Sequence, residues 1–475
     1  MAVCIPCDYL NKETTKLLVS LLTFESKQTY FETEKDKEDG FSAYRVEVFG
    51  GFKFVVVPFY FGIIFGAKMN IPVLTYRYRS VEDVPRINIT SNLTFINDQE
   101  VVANEALWAL QKYRGVLLQL HTGYGKTVTA TYLIKVISMV TMIAVHRDFL
   151  QDQFKKTIEK YTNAKVCLIP GEKPNSKIDL NADVYVIMIS SIHKVPLEVF
   201  ARIGFLIVDE AHCYATKIRT HALMNIDTRY MAFLTATPSK IGEISKAFIG
   251  EHIIVRKFKR PFDVHIIDTN IDPVIESRWI LGKERMDFDK YRKSIMNNEE
   301  LNKYITYSVV RNQGRKILIL TYEKKHVDLL TKMITDQGIV VSKFYGNQSS
   351  YIDAPVLISN CSKISIGFDQ ATTAMEYNGI KIDLLYQLVT YRDPTPIEQS
   401  IGRVLRAESP SVIYFTNNAG VSDNHCKVLT KWLKDMPATI YHHSKKLTPG
   451  SKDMNTVDEF LNGNTPVFFT ENVEI

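Results

Sequence analysis

The segment Leu118-Gln119-Leu120-His121-Thr122-Gly123-Tyr124-Gly125-Lys126-Thr127 constrains this chain more than any other. An apolar run enters a loop carrying two glycines, and Lys-Thr then opens a helical stretch from Val128 to Ile137. Gly123 and Gly125 let successive backbone N–H groups face one phosphate, and the new helix adds its positive N-terminal end. In such a loop Lys126 reaches the β- and γ-phosphates of a nucleoside triphosphate, and the Thr127 hydroxyl is a ligand for Mg²⁺. Thr122 and Tyr124 complete the candidate binding loop. The strict pattern has glycine where this chain has Leu120, so a glycine-rich strand-to-helix turn without phosphate chemistry stays open on this segment alone.

A second site narrows the choice. The apolar run Ile203 to Val208 ends in Asp209-Glu210-Ala211-His212. Asp209, at the carboxyl end of a strand, is placed to hold Mg²⁺ directly or through water, and Glu210 to orient and deprotonate an attacking water. Two adjacent acids could instead supply capping charge to a helix. Further on, Gln399-Ser400-Ile401-Gly402-Arg403-Val404-Leu405-Arg406 puts two arginines three apart, expected on one helical face. Such a pair can neutralise charge developing on a γ-phosphate; in isolation it could equally be a solvated basic face.

The rest of the 475 residues supplies the frame, with room for about two to four domains. Short apolar strands alternate with longer helical stretches at 115–120, 142–145, 184–189, 205–208 and 232–234. A second series follows at 252–255, 264–267, 316–320, 340–344, 356–358, 384–389 and 412–415. This is the habit of parallel sheets with crossover helices, hence two α/β units in tandem. We place boundaries at 1–92 for a small α+β module, 93–250 and 251–440 for the two α/β units, and 441–475 for an irregular tail holding His442 and His443. Within the first module Glu32 to Gly40 is expected as a charged loop. Phe54 to Ala67, interrupted by Pro58, Gly62 and Gly66, is expected as two buried strands and a turn.

No stretch reaches the roughly 18 uncharged apolar residues of a membrane helix, and the N-terminus lacks a secretory core, so a soluble intracellular protein without a membrane partner is expected. Six scattered cysteines exclude a disulfide framework, and the lone Cys4/Cys7 pair is short of the four ligands of a zinc ribbon. A net charge of +6 permits a polyanionic partner without requiring one. The basic run Arg256-Lys257-Phe258-Lys259-Arg260 suits either a polyanion contact or a solvated hinge.

Taken in order, TGYGKT, DEAH, Leu234-Thr235-Ala236-Thr237-Pro238, Gly367-Phe368-Asp369 and QSIGRVLR resemble superfamily 2 DExH helicases over about 340 residues, from Gln99 to Ile440. The likeness is greatest to the helicases of large cytoplasmic DNA viruses, of the poxvirus transcript-release type, and more distant to phage and XPB-type repair motors. The resemblance implies two tandem RecA-like domains and an ATPase, stimulated by nucleic acid, that uses ATP and Mg²⁺. It implies DNA as partner, with RNA or an RNA–DNA hybrid as alternatives, and RNA polymerase or other transcription or replication proteins as associates. It also implies residence in the host cytoplasm, with the virion as a second location. By the same resemblance Gln99 reads adenine, Gln399 joins the catalytic arginines and Asp369 contacts nucleotide from the second unit. His212, Thr235 and Thr237 couple hydrolysis to movement. His146, Arg147, Ser190, Ser191 and Asn360 stand where nucleic-acid backbone is touched. Asn360 replaces the usual Thr, and Ile366 an acid, at two positions of the pattern. The resemblance to phage and XPB-type motors implies an appended duplex-binding domain in the N-terminal module, although its own residues show no basic stripe. No separating hairpin is evident in the sequence.

Overall fold

The computed structural model describes residues 2–24, 41–74, 84–169, 178–214, 216–236, 243–280, 283–346, 348–364, 368–392 and 394–444. The expected loop Glu32 to Gly40, Thr237 and the Ile366-Gly367 pair lie outside the described residues. Two compact units divide the chain, residues 1–256 and 257–475.

The first unit opens with a three-stranded antiparallel sheet in which β1 (Ala2–Pro6) and β2 (Arg45–Phe49) flank β3 (Phe52–Pro58). Helix α1 (Lys12–Leu21) is capped by Asn11, whose side chain accepts from the N–H groups of Glu13 and Thr14. After Pro58 the chain forms helix α2 (Phe59–Met69), which corrects the expectation of a further turn and strand. The glycines that read as breakers are contact points, because a Cβ at Gly62 would meet side-chain atoms of Val3 and Val57, and one at Gly66 those of Val73. Asn70, in the left-handed region at φ 53°, ends the helix, and Ile71 N–H donates back to the Gly66 carbonyl at 2.9 Å. Alanine at Gly62 gains about 1 kcal/mol of helix propensity but overpacks a β-branched contact costing about 1–3 kcal/mol. Gly62→Ala protein is therefore expected to lose up to about 2 kcal/mol net, read as a lower urea midpoint with unchanged m-value.

The main sheet of this unit has seven parallel strands. In chain order they are β4 (Gly115–Leu120), β5 (Thr141–Val145), β6 (Val166–Ile169), β7 (Val184–Met188), β8 (Phe205–Val208), β9 (Tyr230–Thr235) and β10 (Ile253–Arg256). Their spatial order is β10-β4-β9-β8-β5-β7-β6. β6 was not anticipated, since its partly exposed residues give a weak pattern. The run 252–255, expected to open the second unit, instead adds β10 beside β4, with Arg256 opposite Leu120. Helices α3 (Gln99–Tyr113) and α4 (Lys126–Ile137) cover one face with a core including Val102, Leu110, Leu133 and Ile134. On the other face Cys4, Phe41 and Val56 share a core with Leu117, Met142 and Phe233, so the opening module is packed onto the sheet.

The second unit has its own seven-stranded parallel sheet. Its strands are β11 (Phe262–Asp268), β14 (Ile317–Thr321), β15 (Val341–Phe344), β16 (Val356–Asn360), β17 (Leu384–Gln387), β18 (Ser411–Thr416) and β19 (Ala438–Ser444), ordered β15-β16-β14-β17-β18-β11-β19. A hairpin of β12 (Ser277–Ile280) and β13 (Lys283–Met286), absent from the sequence expectation, leaves Trp279 76% exposed. The expected irregular tail is corrected at its start. His442 and His443 lie on β19, in register with Ile266 and Ile267. Among the described residues no helix is long and apolar enough to cross a membrane.

Candidate functional site

In the first unit the loop between β4 and α4 has its two glycines in the left-handed region, Gly123 at φ 85° and Gly125 at φ 104°. Gly125 is also the N-cap of α4, and a Cβ there would collide with Nε2 of Gln99. Gln99, the first residue of α3 and 3% exposed, braces this loop with both ends of its amide. Nε2 donates to the Tyr124 carbonyl at 2.6 Å, and Oε1 accepts from Ile96 N–H at 3.1 Å. The Tyr124 hydroxyl donates to Oδ1 of Asp98 at 3.0 Å. Thr122 is buried, while Lys126 and Thr127, opening α4, are half-buried.

Asp209 follows β8 and is 6% exposed, its N–H donating to the Ala144 carbonyl at 3.0 Å. Burial pushes its carboxyl up to about 7, and the Glu210 charge adds to this, against the pull of Lys126 and the Glu210 N–H. A buried acid short of compensating charge, within electrostatic reach of a lysine, has the chemistry of a ligand to a hard divalent cation. Glu210 stands in the left-handed region at φ 49°, where its carbonyl accepts from Cys213 N–H at 2.8 Å. A non-glycine residue there stores strain, a habit of reactive sites. His212 Nδ1 lies 3.2 Å from Thr235 Oγ1 and 3.4 Å from Glu210 Oε2, so the acid pair is joined to the end of β9.

The nucleic-acid candidates divide. Arg147 and Ser190 are exposed, whereas Ser191 is only 3% exposed and turned into the protein. The His146 ring is also turned inward, with both nitrogens buried and unbonded among the described residues. Burial lowers its pKa to about 4 against the opposing charge of Glu210, so it is neutral and belongs beside the acids rather than at a phosphate.

In the second unit the arginine helix α5 (Pro394–Val404) ends before Arg406, so the expectation of one shared helical face is corrected: Arg406 sits in the following turn. Arg403 Nη1 donates to the Phe368 carbonyl at 2.8 Å, and Arg406 Nη1 pairs with Asp369 Oδ2 at 2.7 Å. The other Asp369 oxygen caps the next turn through Ala371 N–H. Burial raises the Asp369 carboxyl, but Arg406 and Arg403 outweigh it and hold the group below the ordinary carboxylate range. Gln399 is 7% exposed on α5, and Asn360 ends β16 with Oδ1 buried. Asp98, Glu105 and Arg256 form a cluster that meets the phosphate loop through Asp98 and Tyr124. Sequence alone marks Arg256 only as the first of a basic run and does not join it to Asp98, 158 residues away.

Residues 92–240 match the family described as type III restriction enzyme, res subunit. Over 348 residues the chain is 27% identical to "Putative helicase 161L" of Invertebrate iridescent virus 6, covering 67% of this chain and 75% of that protein. It is 21% identical over 352 residues to transcript termination protein A18 of Yaba-like disease virus, covering 68% and 72%. Among solved structures, Saccharomyces cerevisiae Dbp5 bound to RNA and ADP BeF3 shares the fold at a TM-score of 0.50 and 15% identity, covering 76% of this chain and 92% of that one. Together with the motif order, these findings make the chain similar to helicases of large DNA viruses, with a fold shared by the RNA-bound Dbp5 structure.

Proposed function

We propose that this chain is a superfamily 2 helicase that hydrolyses ATP to translocate along nucleic acid, with DNA as its main track in viral transcription, replication or repair. The observation that carries the reading is the buried Asp209 within electrostatic reach of Lys126, the residue that follows the glycine loop. Lys126 and the loop N–H groups hold the phosphates, while Thr127 and Asp209 hold Mg²⁺, which supplies charge neutralisation when bound with ATP. Glu210 takes the proton of the attacking water. Arg403 and Arg406 of the second unit reach the γ-phosphate in the closed state, and His212 with Thr235 passes the change in the acid pair to the end of β9. Arg147 and Ser190 bind backbone phosphate without reading bases. The exposed Trp279 on the β12–β13 hairpin is suited to stack on an unpaired base, which supports strand separation.

The test is ATP turnover with single-stranded, duplex and forked DNA and RNA at several salt concentrations. Turnover is expected to rise with DNA and to lose that rise steeply as salt increases. Failure of every polynucleotide to stimulate would sink the motor reading. Likeness to a protein named for transcript termination supports a second reading, a remodelling factor that translocates without parting strands. Strand displacement without release of a stalled polymerase supports the first; release without displacement supports the second.

A further inference from the structure

The chain passes from one unit to the other in very few residues. Arg256 is the last residue of β10 and of the first unit, paired in register with Leu120, and its carbonyl accepts from His121 N–H at 3.2 Å. Phe258, 9% exposed, already belongs to the core of the second unit, edge-on to Phe262 at 6.1 Å. Only Lys257 lies between these two anchored residues, and it is exposed.

Arg256 is held by side chain as well as by backbone. Its Nε donates to Asp98 Oδ2 at 3.0 Å, and Nη2 reaches both Glu105 oxygens at 2.9 and 3.0 Å. Asp98 and Glu105 stand seven residues apart, two turns along one face at the start of α3, so a planar guanidinium fork can bridge them where an ammonium could not. The remaining Asp98 oxygen takes the Tyr124 hydroxyl, and Tyr124 stands between the two glycines of the phosphate loop. Burial raises the Asp98 carboxyl, but Tyr124 and Arg256 outweigh it, keeping the acid charged between its two donors. Both acids are nearly half exposed, so these bonds add little to overall stability and their effect is one of position. Beyond Phe258 the same device recurs, since Arg260 donates to the carbonyl of Ala407, the residue after Arg406.

We propose that Arg256 is a positioning residue that ties the Lys257 hinge to the phosphate loop through Asp98 and the Tyr124 hydroxyl, so that occupancy of the loop sets the direction in which the chain leaves the first unit. The proposal rests on the reading of that loop as an ATP site. A ligand seated on the loop backbone displaces the Tyr124 main chain, and the two bonds carry that displacement to the residue at which the units part. Linkage then works in reverse also: a held hinge alters nucleotide affinity by the same factor.

The experiment is limited trypsin digestion of the full chain, with and without a saturating non-hydrolysable ATP analogue, with nucleotide binding measured in parallel by fluorescence titration. In the unaltered protein nucleotide should change the cleavage rate after Lys257 by about fivefold or more. Tyr124→Phe removes one oxygen and Arg256→Lys removes the fork but keeps the charge. Each, at its own saturating nucleotide, should bring that response below about twofold. A full response in both variants overturns the relay. So does faster cleavage at all sites, with and without nucleotide, which is the mark of a structural role alone. Binding without any response at Lys257 in the unaltered protein overturns the relay and leaves the ATP site standing. Absence of binding overturns the functional reading and the relay with it.

Discussion

Glu210→Gln protein should bind ATP and turn it over about 10²–10⁴-fold more slowly than the unaltered chain. The substitution keeps the shape of the side chain while removing its negative charge and its ability to accept a proton. It also lifts the repulsion that adds to the upward push on the Asp209 carboxyl, so Asp209 ionises more readily and its grip on a cation is not weakened. The two effects point in opposite directions, which gives the experiment its discrimination: turnover falls while affinity holds or rises. The left-handed backbone at Glu210 is held by the Cys213 hydrogen bond, which is independent of the side chain. Titration of a fluorescent ATP analogue beside steady-state turnover makes the measurement. Undiminished turnover would put the base elsewhere.

Arg406→Ala should lower stimulated turnover by about 10³–10⁵-fold, the range found where an arginine neutralises charge in phosphoryl transfer. Arg406 also pairs with Asp369, so a loss of order within the second unit is the competing explanation. Asp369→Asn separates the two. It removes the ion pair but leaves the guanidinium, and if Arg406 acts on the transition state the loss should stay far smaller than that of Arg406→Ala. Equal losses in the two variants would mean that the arginine serves only to order its own unit. Lysine at position 406 should not rescue, because an ammonium lacks the planar fork that binds phosphate oxygens in pairs. The comparison is made on kcat under stimulating nucleic acid, with unfolding midpoints as the control.

The central strands of both parallel sheets are legible because they are short apolar runs buried on two faces, as at Phe205–Val208, whereas the edge strands β6 and β19 lack that pattern. The phosphate loop and the acid pair were legible for another reason: their chemistry requires neighbours in sequence. Where the reading failed, a non-local partner decided the outcome. Gly62 and Gly66 look like breakers until Val3, Val57 and Val73 are seen against them. β10 was counted with the strands that follow it, although its register is with Leu117 to Leu120, more than a hundred residues earlier. His146 has the letters of a phosphate contact, yet packing has buried both ring nitrogens within reach of the Glu210 charge. Arg256, first of a basic run, is committed to two carboxylates that no window of sequence would associate with it.

The outermost strand of the second unit, β19, reaches the sheet only at the end of the described chain, and it pairs residue for residue with Phe262–Asp268. His265 stacks on Tyr441 at 4.8 Å across that seam. A shortened protein stopped at residue 440, where patterning alone ends the fold, would keep the first three residues of this strand and lose the rest. The freed rim of His265–Asp268 would then present bare N–H and C=O groups, an invitation to self-association. Anyone isolating this half for crystallisation or binding work should carry the chain through Ser444, or expect precipitate before activity.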